Sequence, residues 1–148
     1  MSASGTVTCH SGGAMTVGTA GPGFYRLGGE LDRRLKEMGA ENGLLTVFCA
    51  HTSASLCIQE NADPSVLADL TDALGRLAPE GARYRHRSEG PDDMPAHIKT
   101  LLTQTSISLP VRDGGLALGI WQEVYLIEHR AGRYARRLEV DFVGSLKG

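Results

Sequence analysis

The stretch that decides the fold runs from Cys49 to Pro64 and reads C-A-H-T-S-A-S-L-C-I-Q-E-N-A-D-P. Within it Ala54, Leu56 and Ile58 occupy alternate positions, which is the period of a half-buried strand. The same stretch carries a histidine, three hydroxyls, a Glu, an Asn and an Asp, groups that bind protons, metals or phosphates. A segment that only had to pack would not need so many of them, so we expect it to form one wall of a functional site.

The elements around this stretch predict an α+β fold. Asp63 and Pro64 have the pattern of an N-cap followed by the first residue of a helix. Apolar residues at helical spacing predict two amphipathic helices and one short helix, over residues 25–38, 64–77 and 93–102. β-Leaning runs predict strands over residues 6–10, 15–19, 44–49, 54–59, 106–111, 116–120, 124–128 and 137–143, with Ser11-Gly12-Gly13 as the turn of a first hairpin. This order predicts a mixed or largely antiparallel sheet in one domain over residues 1–148.

Length and composition fit one ordinary globular domain. The chain has 148 residues, of which 41% are apolar and 22% charged, and its net charge is -2. That balance argues against nucleic acid or an anionic membrane as a partner. No apolar run approaches the roughly 20 residues that cross a bilayer. The first residues, M-S-A-S-G-T-V-T-C-H, lack the basic start and apolar stretch of a secretory signal.

Cysteine and glycine usage bears on compartment and assembly. Three cysteines without a C-x-x-C pair fit free thiols in a reducing compartment, so we expect a cytoplasmic protein. Nineteen glycines beside three phenylalanines and one tryptophan indicate tight turns and a core with few aromatic rings. Such a core gains from surface buried between subunits, which favours an oligomer.

Three histidines on separate predicted elements are candidates for a metal site. His51 follows a strand, His86 lies in the irregular segment 79–95, and His97 stands in the first turn of the short helix. Imidazoles from separate elements can converge on one cation and leave a coordination position open, as in catalytic zinc sites. The alternative is three unrelated surface or hydrogen-bonded histidines, and His129 is a fourth candidate for the same role.

Carboxylates and anion binders accompany these histidines. Asp92 and Asp93 precede His97 and could orient a ligand histidine, bind Mg²⁺ on a diphosphate or act as a general base. The plainer interpretation, and the one that the pattern favours, is a helix cap at Asp93 with Asp92 in solvent. Glu60 could likewise take part in the chemistry or only stabilise the local structure. The side chains suited to binding a phosphate are Thr52, Ser53, Asn61 and Arg130.

The motifs give less support to nucleotide binding, to a serine nucleophile and to a basic binding surface. The segment G-T-A-G-P-G lacks the spacing of a nucleotide-binding loop, so we expect a plain connection between a strand and a helix. Ser53 or Ser55 could be a nucleophile, but no G-x-S-x-G elbow or triad order is present. Arg133, Arg136 and Arg137 form a basic cluster that we interpret as a solvated face.

Three segments taken together resemble one family. They read H-T-S-A-S-L-C-I-Q-E-N-A-D-P, Y-R-H-R-S-E-G-P-D-D-M-P-A-H-I-K and L-A-L-G-I-W-Q-E-V-Y-L-I-E-H-R, in that family's order and spacing. From about Thr6 to Gly144 the chain resembles the YjbQ family, whose members are labelled secondary thiamine-phosphate synthase. The resemblance implies a compact α+β fold, assembly as a homotrimer and a site near the subunit boundary.

The resemblance also implies roles for individual residues. His51, His86 and His97 match the metal-binding histidines, with zinc as the expected ion and Mg²⁺ as an alternative on a diphosphate substrate. Cys57 stands where a Thr is frequent, so its thiol could lie near the site and be open to oxidation. The family's polar site positions fall on Glu60, Asn61, Asp63, Asp92, Asp93, Trp121, Gln122 and Arg130.

The function that the resemblance implies is that of a metal-dependent transferase, which joins hydroxymethylpyrimidine diphosphate to thiazole phosphate. Glu60, Asp93 and His97 are then the expected catalytic residues, with Asp93 or Glu60 organising the metal or its water. One alternative keeps the site but uses zinc-activated water to hydrolyse a small phosphorylated substrate. The other is a non-catalytic trimer that binds a phosphorylated metabolite or a metal.

Overall fold

Two sheets and three helices make up the computed structural model, which describes residues 9–148. The helices are α1 (Gly28–Met38), α2 (Pro64–Leu77) and α3 (Asp93–Leu102). The strands are β1 (Cys9–Ala20), β2 (Gly23–Arg26), β3 (Ala40–Cys49), β4 (Ala54–Glu60), β5 (Ser106–Arg112), β6 (Gly115–Leu116), β7 (Gln122–Glu128) and β8 (Arg133–Leu146). The larger sheet has the order β1-β8-β3-β5-β6 and the smaller one β2-β7-β4. The pairings within both sheets are antiparallel, and the predicted α+β class is confirmed.

One hydrophobic core joins the two sheets and α1. On β3 the alternate residues Leu45, Val47 and Cys49 are buried, whereas Leu44 and Phe48 are exposed on the opposite face. The other elements add to the same core Leu31, Leu35, Leu56, Leu109, Leu126, Leu138, Val140 and Phe142. Because both sheets share this core, packing fixes the strand ends from which the loops leave.

The helix ends follow their local sequence signals. Oδ1 of Asp63 accepts a hydrogen bond from the backbone N of Ser65 at 2.9 Å, so α2 begins with the predicted cap. α1 ends at Met38 and is capped by Gly39, which has the left-handed φ of 72° that glycine adopts without strain. α1 begins later than predicted, because residues 23–26 pair with β7 as strand β2. Within the described part of the chain, no helix has the length and apolarity needed to span a membrane.

Two strand predictions are wrong. Ser11-Gly12-Gly13 forms no turn but continues β1 along β8, where Gly12 stands opposite Asp141. A Cβ on Gly12 would collide with the Asp141 carboxylate, so this glycine leaves room for that side chain. Residues 6–8 of the predicted hairpin lie outside the described residues. The strand predicted over residues 116–120 ends at Leu116, and the chain then runs as a loop to β7.

The pairing of β4 with β7 decides which polar loops meet. Ala54 stands opposite Glu128 at one end of this pair, and Glu60 stands opposite Gln122 at the other. The loop before β4 and the loop after β7 therefore emerge at the same end of the smaller sheet. α3 contacts β4. This end of the sheet thus brings residues 50–53 and 129–132 close to the first turn of α3.

Candidate functional site

His86, Asp93 and His97 form a group of potential metal ligands. Asp93 and His97 stand one helical turn apart on α3, so their side chains share a face, and His86 reaches them from the preceding loop. Nε2 of His86 lies 2.6 Å from Oδ2 of Asp93, and Nε2 of His97 lies 3.2 Å from the same oxygen. One ligand atom from each residue lies within 4.8 Å of the others, so all three can reach one cation.

Both ring nitrogens of His97 face oxygen atoms. Nδ1 lies 2.9 Å from the carbonyl oxygen of Thr52, which can only accept, so Nδ1 carries a hydrogen. Nε2 faces the Asp93 carboxylate, a second acceptor, and therefore needs either a second proton or a cation between the two atoms. In metal sites a carbonyl commonly fixes a histidine tautomer in this way, so that the other nitrogen is free to bind the ion.

Asp93 is only 6% exposed. Carboxylates are rarely buried unless they are paired, so this one needs partners. Its Oδ1 lies 3.2 Å from Nη1 of Arg130, while its Oδ2 faces the two imidazoles. Burial alone would raise the pKa of Asp93, but the hydrogen bond from His86 and the charges of His97 and Arg130 outweigh burial and lower this pKa. Asp93 is therefore charged at neutral pH, as a metal ligand must be.

Arg130 clamps the loop before α3 onto the end of β7. Its Nη2 donates to Oδ1 of Asp92 at 3.1 Å and to the carbonyl oxygen of Glu89 at 2.8 Å. The other Asp92 oxygen accepts from the backbone N of Ala131 at 2.8 Å. Burial would raise the pKa of Asp92, but the bonds from Arg130 and Ala131 lower it overall. The interpretation of Asp93 as a helix cap with Asp92 in solvent is wrong, because both carboxylates turn to Arg130.

A buried ion pair between Glu128 and Arg136 supports this clamp. Nε and Nη2 of Arg136 lie 2.7 and 2.5 Å from the two carboxylate oxygens of Glu128, and Thr19 donates its hydroxyl at 2.6 Å. The same carboxylate accepts from the backbone N of Arg130 at 3.1 Å. The Arg136 guanidinium lies 4.4 Å from the centre of the Tyr134 ring. The interpretation of Arg136 as part of a solvated face is therefore wrong, because it is 4% exposed.

His51, Thr52 and Ser53 contribute differently from what their side chains suggest. Nε2 of His51 accepts a backbone N–H of β8 at 2.7 Å, and among the described residues His51 is not part of the group of clustered ligand atoms. Burial is the main cause that lowers the pKa of His51 and keeps it neutral. Thr52 and Ser53 offer carbonyl oxygens, the first to His97 and the second to Arg136 at 3.4 Å. A metal bond from His51 and phosphate contacts from the two hydroxyls stay predictions.

Glu60, Asn61, Trp121 and Gln122 lie at the other end of the smaller sheet. Ala54 and Glu60 bound β4, about 20 Å apart at the rise of an extended strand. The carboxylate and the two amides bind backbone groups of the adjoining turns at 2.7 to 3.0 Å, and Trp121 is 62% exposed. A single chain therefore does not unite these residues with the His86 group. Their catalytic and binding roles stay predictions.

His129 and Ser55 form a buried pair that no motif predicted. His129 is 5% exposed and Ser55 is fully enclosed. Nε2 of His129 lies 2.8 Å from Oγ of Ser55, which in turn lies 2.6 Å from Oγ1 of Thr103. Burial, followed by the charge of Lys99, lowers the pKa of His129 to about 4. A serine enclosed in this way is out of reach of a substrate, and the neutral His129 ring lies outside the metal group.

The buried His129 ring predicts a loss of stability as the pH falls from 6.5 towards 4. The unfolded chain takes up a proton on this ring near pH 6.5, whereas the folded ring resists protonation until about pH 4. Protons therefore favour the unfolded state in this interval, by about 2 kcal/mol at pH 5. Urea unfolding of the metal-free protein at pH 7 and at pH 5 would measure the loss.

His129→Gln is the control for this pH effect, since its amide can still bind Ser55 but does not titrate. Its free energy of unfolding should change less between the two pH values than that of the wild type. The carboxylates with lowered pKa values, Asp92, Asp93 and Glu128, lose their contribution mainly at lower pH. His51, whose pKa burial also lowers, contributes equally to both proteins, so the difference between them reports His129. Equal pH dependence in the two proteins would contradict the assignment.

Cys57 is half-buried on β4, where it stands opposite Tyr125 of β7. Burial raises the pKa of its thiol to about 12, so almost no thiolate is present at neutral pH. Because the thiolate is the form that reacts with oxidants, this environment gives no support to the expected sensitivity to oxidation.

Similarity to known proteins assigns the family. Residues 14–145 match the family described as UPF0047 protein YjbQ-like. A UPF0047 protein of Synechocystis sp. is 46% identical over 133 residues, which cover 89% of this chain and 90% of the relative. The UPF0047 protein YjbQ of Salmonella typhimurium is 45% identical over 109 residues, which cover 73% of this chain and 79% of the relative. The chain belongs to the YjbQ family.

Solved structures of YjbQ-like proteins agree with the fold. A YjbQ/UPF0047 family protein of Clostridium acetobutylicum is 32% identical, with a TM-score of 0.79 over 87% of this chain and 98% of that chain. A YbjQ-like protein of Sulfolobus solfataricus superposes with a TM-score of 0.86 over 94% of this chain and 100% of that chain. Its sequence identity of 21% limits the likeness to the fold. The family match and the solved structures therefore agree on the same fold.

Proposed function

We propose that this member of the YjbQ family is an enzyme that uses a divalent metal to act on a small phosphorylated substrate. Zinc is the expected metal. The observation that carries the proposal is the convergence of ligand atoms from His86, Asp93 and His97 within 4.8 Å. Two imidazoles and one carboxylate form a donor set found in catalytic zinc sites, which leave one position open for water or substrate. Mg²⁺ is an alternative on a diphosphate, although imidazole suits zinc better.

The residues around this group orient the ligands. The Thr52 carbonyl holds Nδ1 of His97, and Arg130 holds the Asp93 oxygen that faces away from the imidazoles. Outer contacts of this kind fix the direction of the ligand atoms and strengthen metal binding. When bound, the ion would supply Lewis-acid stabilisation of a departing phosphate oxygen or a water of lowered pKa.

Two reactions suit such a centre. In the transferase reaction, which the family resemblance favours, the bond between the hydroxymethylpyrimidine carbon and the diphosphate oxygen breaks. The ring nitrogen of thiazole phosphate then bonds to that carbon, and diphosphate leaves with the electron pair. In the hydrolytic reaction, water attacks a phosphate ester, and the products are phosphate and an alcohol. Binding of a phosphorylated metabolite or a metal without turnover is the third function that the site could serve.

We further propose that the protein acts as a homotrimer in the cytoplasm. Glu60, Asn61, Trp121 and Gln122 lie at the end of the smaller sheet away from His86. A partner subunit that placed this end beside a neighbour's metal group would unite the two sets of predicted site residues. Glu60 would then act as an acid or base across the subunit boundary. The exposed Trp121 offers apolar surface for that contact.

Turnover distinguishes the three functions. Metal-loaded protein should either form thiamine phosphate from its two precursors or release phosphate from a phosphoester, and a chelator should stop the reaction. Asp93→Asn should lower the rate by about 100-fold, because a neutral amide binds the ion far more weakly than a carboxylate. Asp69→Asn, on the exposed face of α2, removes a carboxylate elsewhere and should leave the rate unchanged.

The same experiment would also identify a protein that binds its ligand without turnover. Metal-loaded protein that turns over neither class of substrate, yet binds a phosphate compound tightly, would exclude both enzymatic functions. If thiamine phosphate still forms after the metal is removed, the protein is a transferase whose reaction does not depend on the proposed metal centre.

A further inference from the structure

A groove of about 310 Å³ opens directly beside the metal group. His86 belongs to both, since its Nε2 lies 2.6 Å from Oδ2 of Asp93 and the residue also lines the groove. The loop between α2 and α3 forms most of the remaining walls, chiefly through Tyr84, Arg87 and Pro91, and Met94 of α3 completes them. The volume is at the lower end for small-molecule sites and matches a ligand with a single ring.

The groove has walls that are held in place at both ends of the loop. The Tyr84 hydroxyl donates to the carbonyl oxygen of Pro79 at 2.7 Å, which ties the first half of the loop to the end of α2. Arg130 donates to the carbonyl oxygen of Glu89 at 2.8 Å, which ties the second half to β7. Gly90 turns the chain there with a φ of 103°, a value that favours glycine. The same Arg130 thus positions the metal ligand Asp93 and the groove.

The groove lining combines an aromatic and apolar part with one charged side chain. Tyr84, Pro91 and Met94 offer an aromatic and apolar surface, whereas Arg87 carries the one full charge among the lining residues in the described part of the chain. Arg87 has no hydrogen-bond or ion-pair partner among residues 9–148. Arg83 and Arg85 lie on the same loop but do not line the groove. A guanidinium without a partner beside an apolar wall suits an anionic group carried on a ring.

We propose that this groove is the substrate-recognition site, and that Arg87 selects ligands with an anionic group on a small apolar or aromatic body. The inference rests on the proposed function, since it assigns the substrate class of the same metal centre. The body lies against Tyr84, Pro91 and Met94, and Arg87 binds the anion next to His86. A group held next to His86 would then lie beside the ion that His86, Asp93 and His97 would hold.

Phenyl phosphate is the probe that tests this assignment. Calorimetric titration of the zinc-loaded protein in a buffer without phosphate should show binding. Arg87→Ala should weaken it by about 10-fold, the usual effect of losing one charge-assisted contact. Arg83→Ala removes the same charge from the same loop outside the groove and should change the affinity by less than about 2-fold. Benzoate in place of phenyl phosphate distinguishes a carboxylate from a phosphate as the anion.

A second variant tests the apolar wall separately from the charge. Met94→Gln keeps the length of the side chain but makes it polar, so phenyl phosphate should bind more weakly while inorganic phosphate should bind as before. No binding of phenyl phosphate by the wild type, no effect of Arg87→Ala, or equal effects of Arg87→Ala and Arg83→Ala would each overturn the inference.

Metal content measured on the same samples keeps the two proposals apart. If the wild type takes up no zinc but Arg87→Ala still weakens phenyl phosphate binding, the proposed metal centre fails and the groove stands. If zinc binds stoichiometrically but Arg87→Ala behaves as the wild type, the groove fails alone.

Discussion

His97→Ala should lower the affinity for zinc by at least about 100-fold, and His86→Ala should do the same. Each substitution removes one of the three ligand atoms that lie within 4.8 Å of one another, which leaves two protein ligands for the ion. Dialysis against zinc followed by metal analysis would measure this, since the wild type should retain one ion per chain. Urea unfolding of the metal-free variants would show that the effect is confined to metal binding.

His51→Ala is the matched control in the same part of the fold. Its ring accepts a backbone N–H of β8 and, among the described residues, is not part of the group of clustered ligand atoms, so we expect this variant to retain its zinc. Loss of zinc in His51→Ala equal to that in His97→Ala would instead mean that three histidines hold the ion, as the family resemblance implies. Undiminished zinc content in both His86→Ala and His97→Ala would rule out the site.

The sequence predicted that His86 and His97 converge, but it placed His51 with them and favoured Asp93 as a helix cap. Asp93 and His97 are four residues apart in a stretch with a helical pattern, so they share a face whatever the rest of the fold does. Arg130, which orients Asp93, comes from the end of β7, and only the packing of α3 beside β4 and β7 brings the two together. No local pattern states that packing, so the sequence offered Arg130 as a phosphate binder and missed its carboxylate partners.

Glu60 and Asn61 show why closeness in the sequence misleads in a strand. They belong to the same stretch as His51, but β4 lies between them and carries its two ends about 20 Å apart. The two ends of that stretch therefore serve different surfaces of one chain. Only an assembly of several chains could bring those surfaces together, and the sequence of one chain does not encode the arrangement in any local pattern.

Arg136 is a residue whose burial the sequence did signal. Leu138, Val140 and Phe142 alternate on the core face of β8, and the same period of two places Arg136 on that face. Its charge made a solvated position the natural interpretation. The partner that makes burial tolerable, Glu128, lies on another strand.

Arg136→Ala should destabilise the fold by about 3–5 kcal/mol at pH 7, the usual effect of removing one partner from a buried ion pair. Glu128 is 1% exposed, and within residues 9–148 the donors that remain to it without the guanidinium are the Thr19 hydroxyl and the backbone N of Arg130. Urea unfolding would measure the change. Arg137→Ala is the matched control, because its side chain on the same strand is 62% exposed and pairs at the surface with Glu139. Its effect should stay below about 1 kcal/mol.

The pH dependence of this difference tests its electrostatic origin. In the wild type burial would raise the pKa of Glu128, but Arg136 and Thr19 outweigh burial and lower it, so the pair stabilises the fold above the ordinary carboxyl pKa and fades as the pH falls. In Arg136→Ala burial prevails and raises the pKa of Glu128, so protonation relieves the variant as the pH falls. The difference in the free energy of unfolding should therefore shrink between pH 7 and pH 4.5. A constant difference would mean that Arg136 acts through its packing on Tyr134 alone.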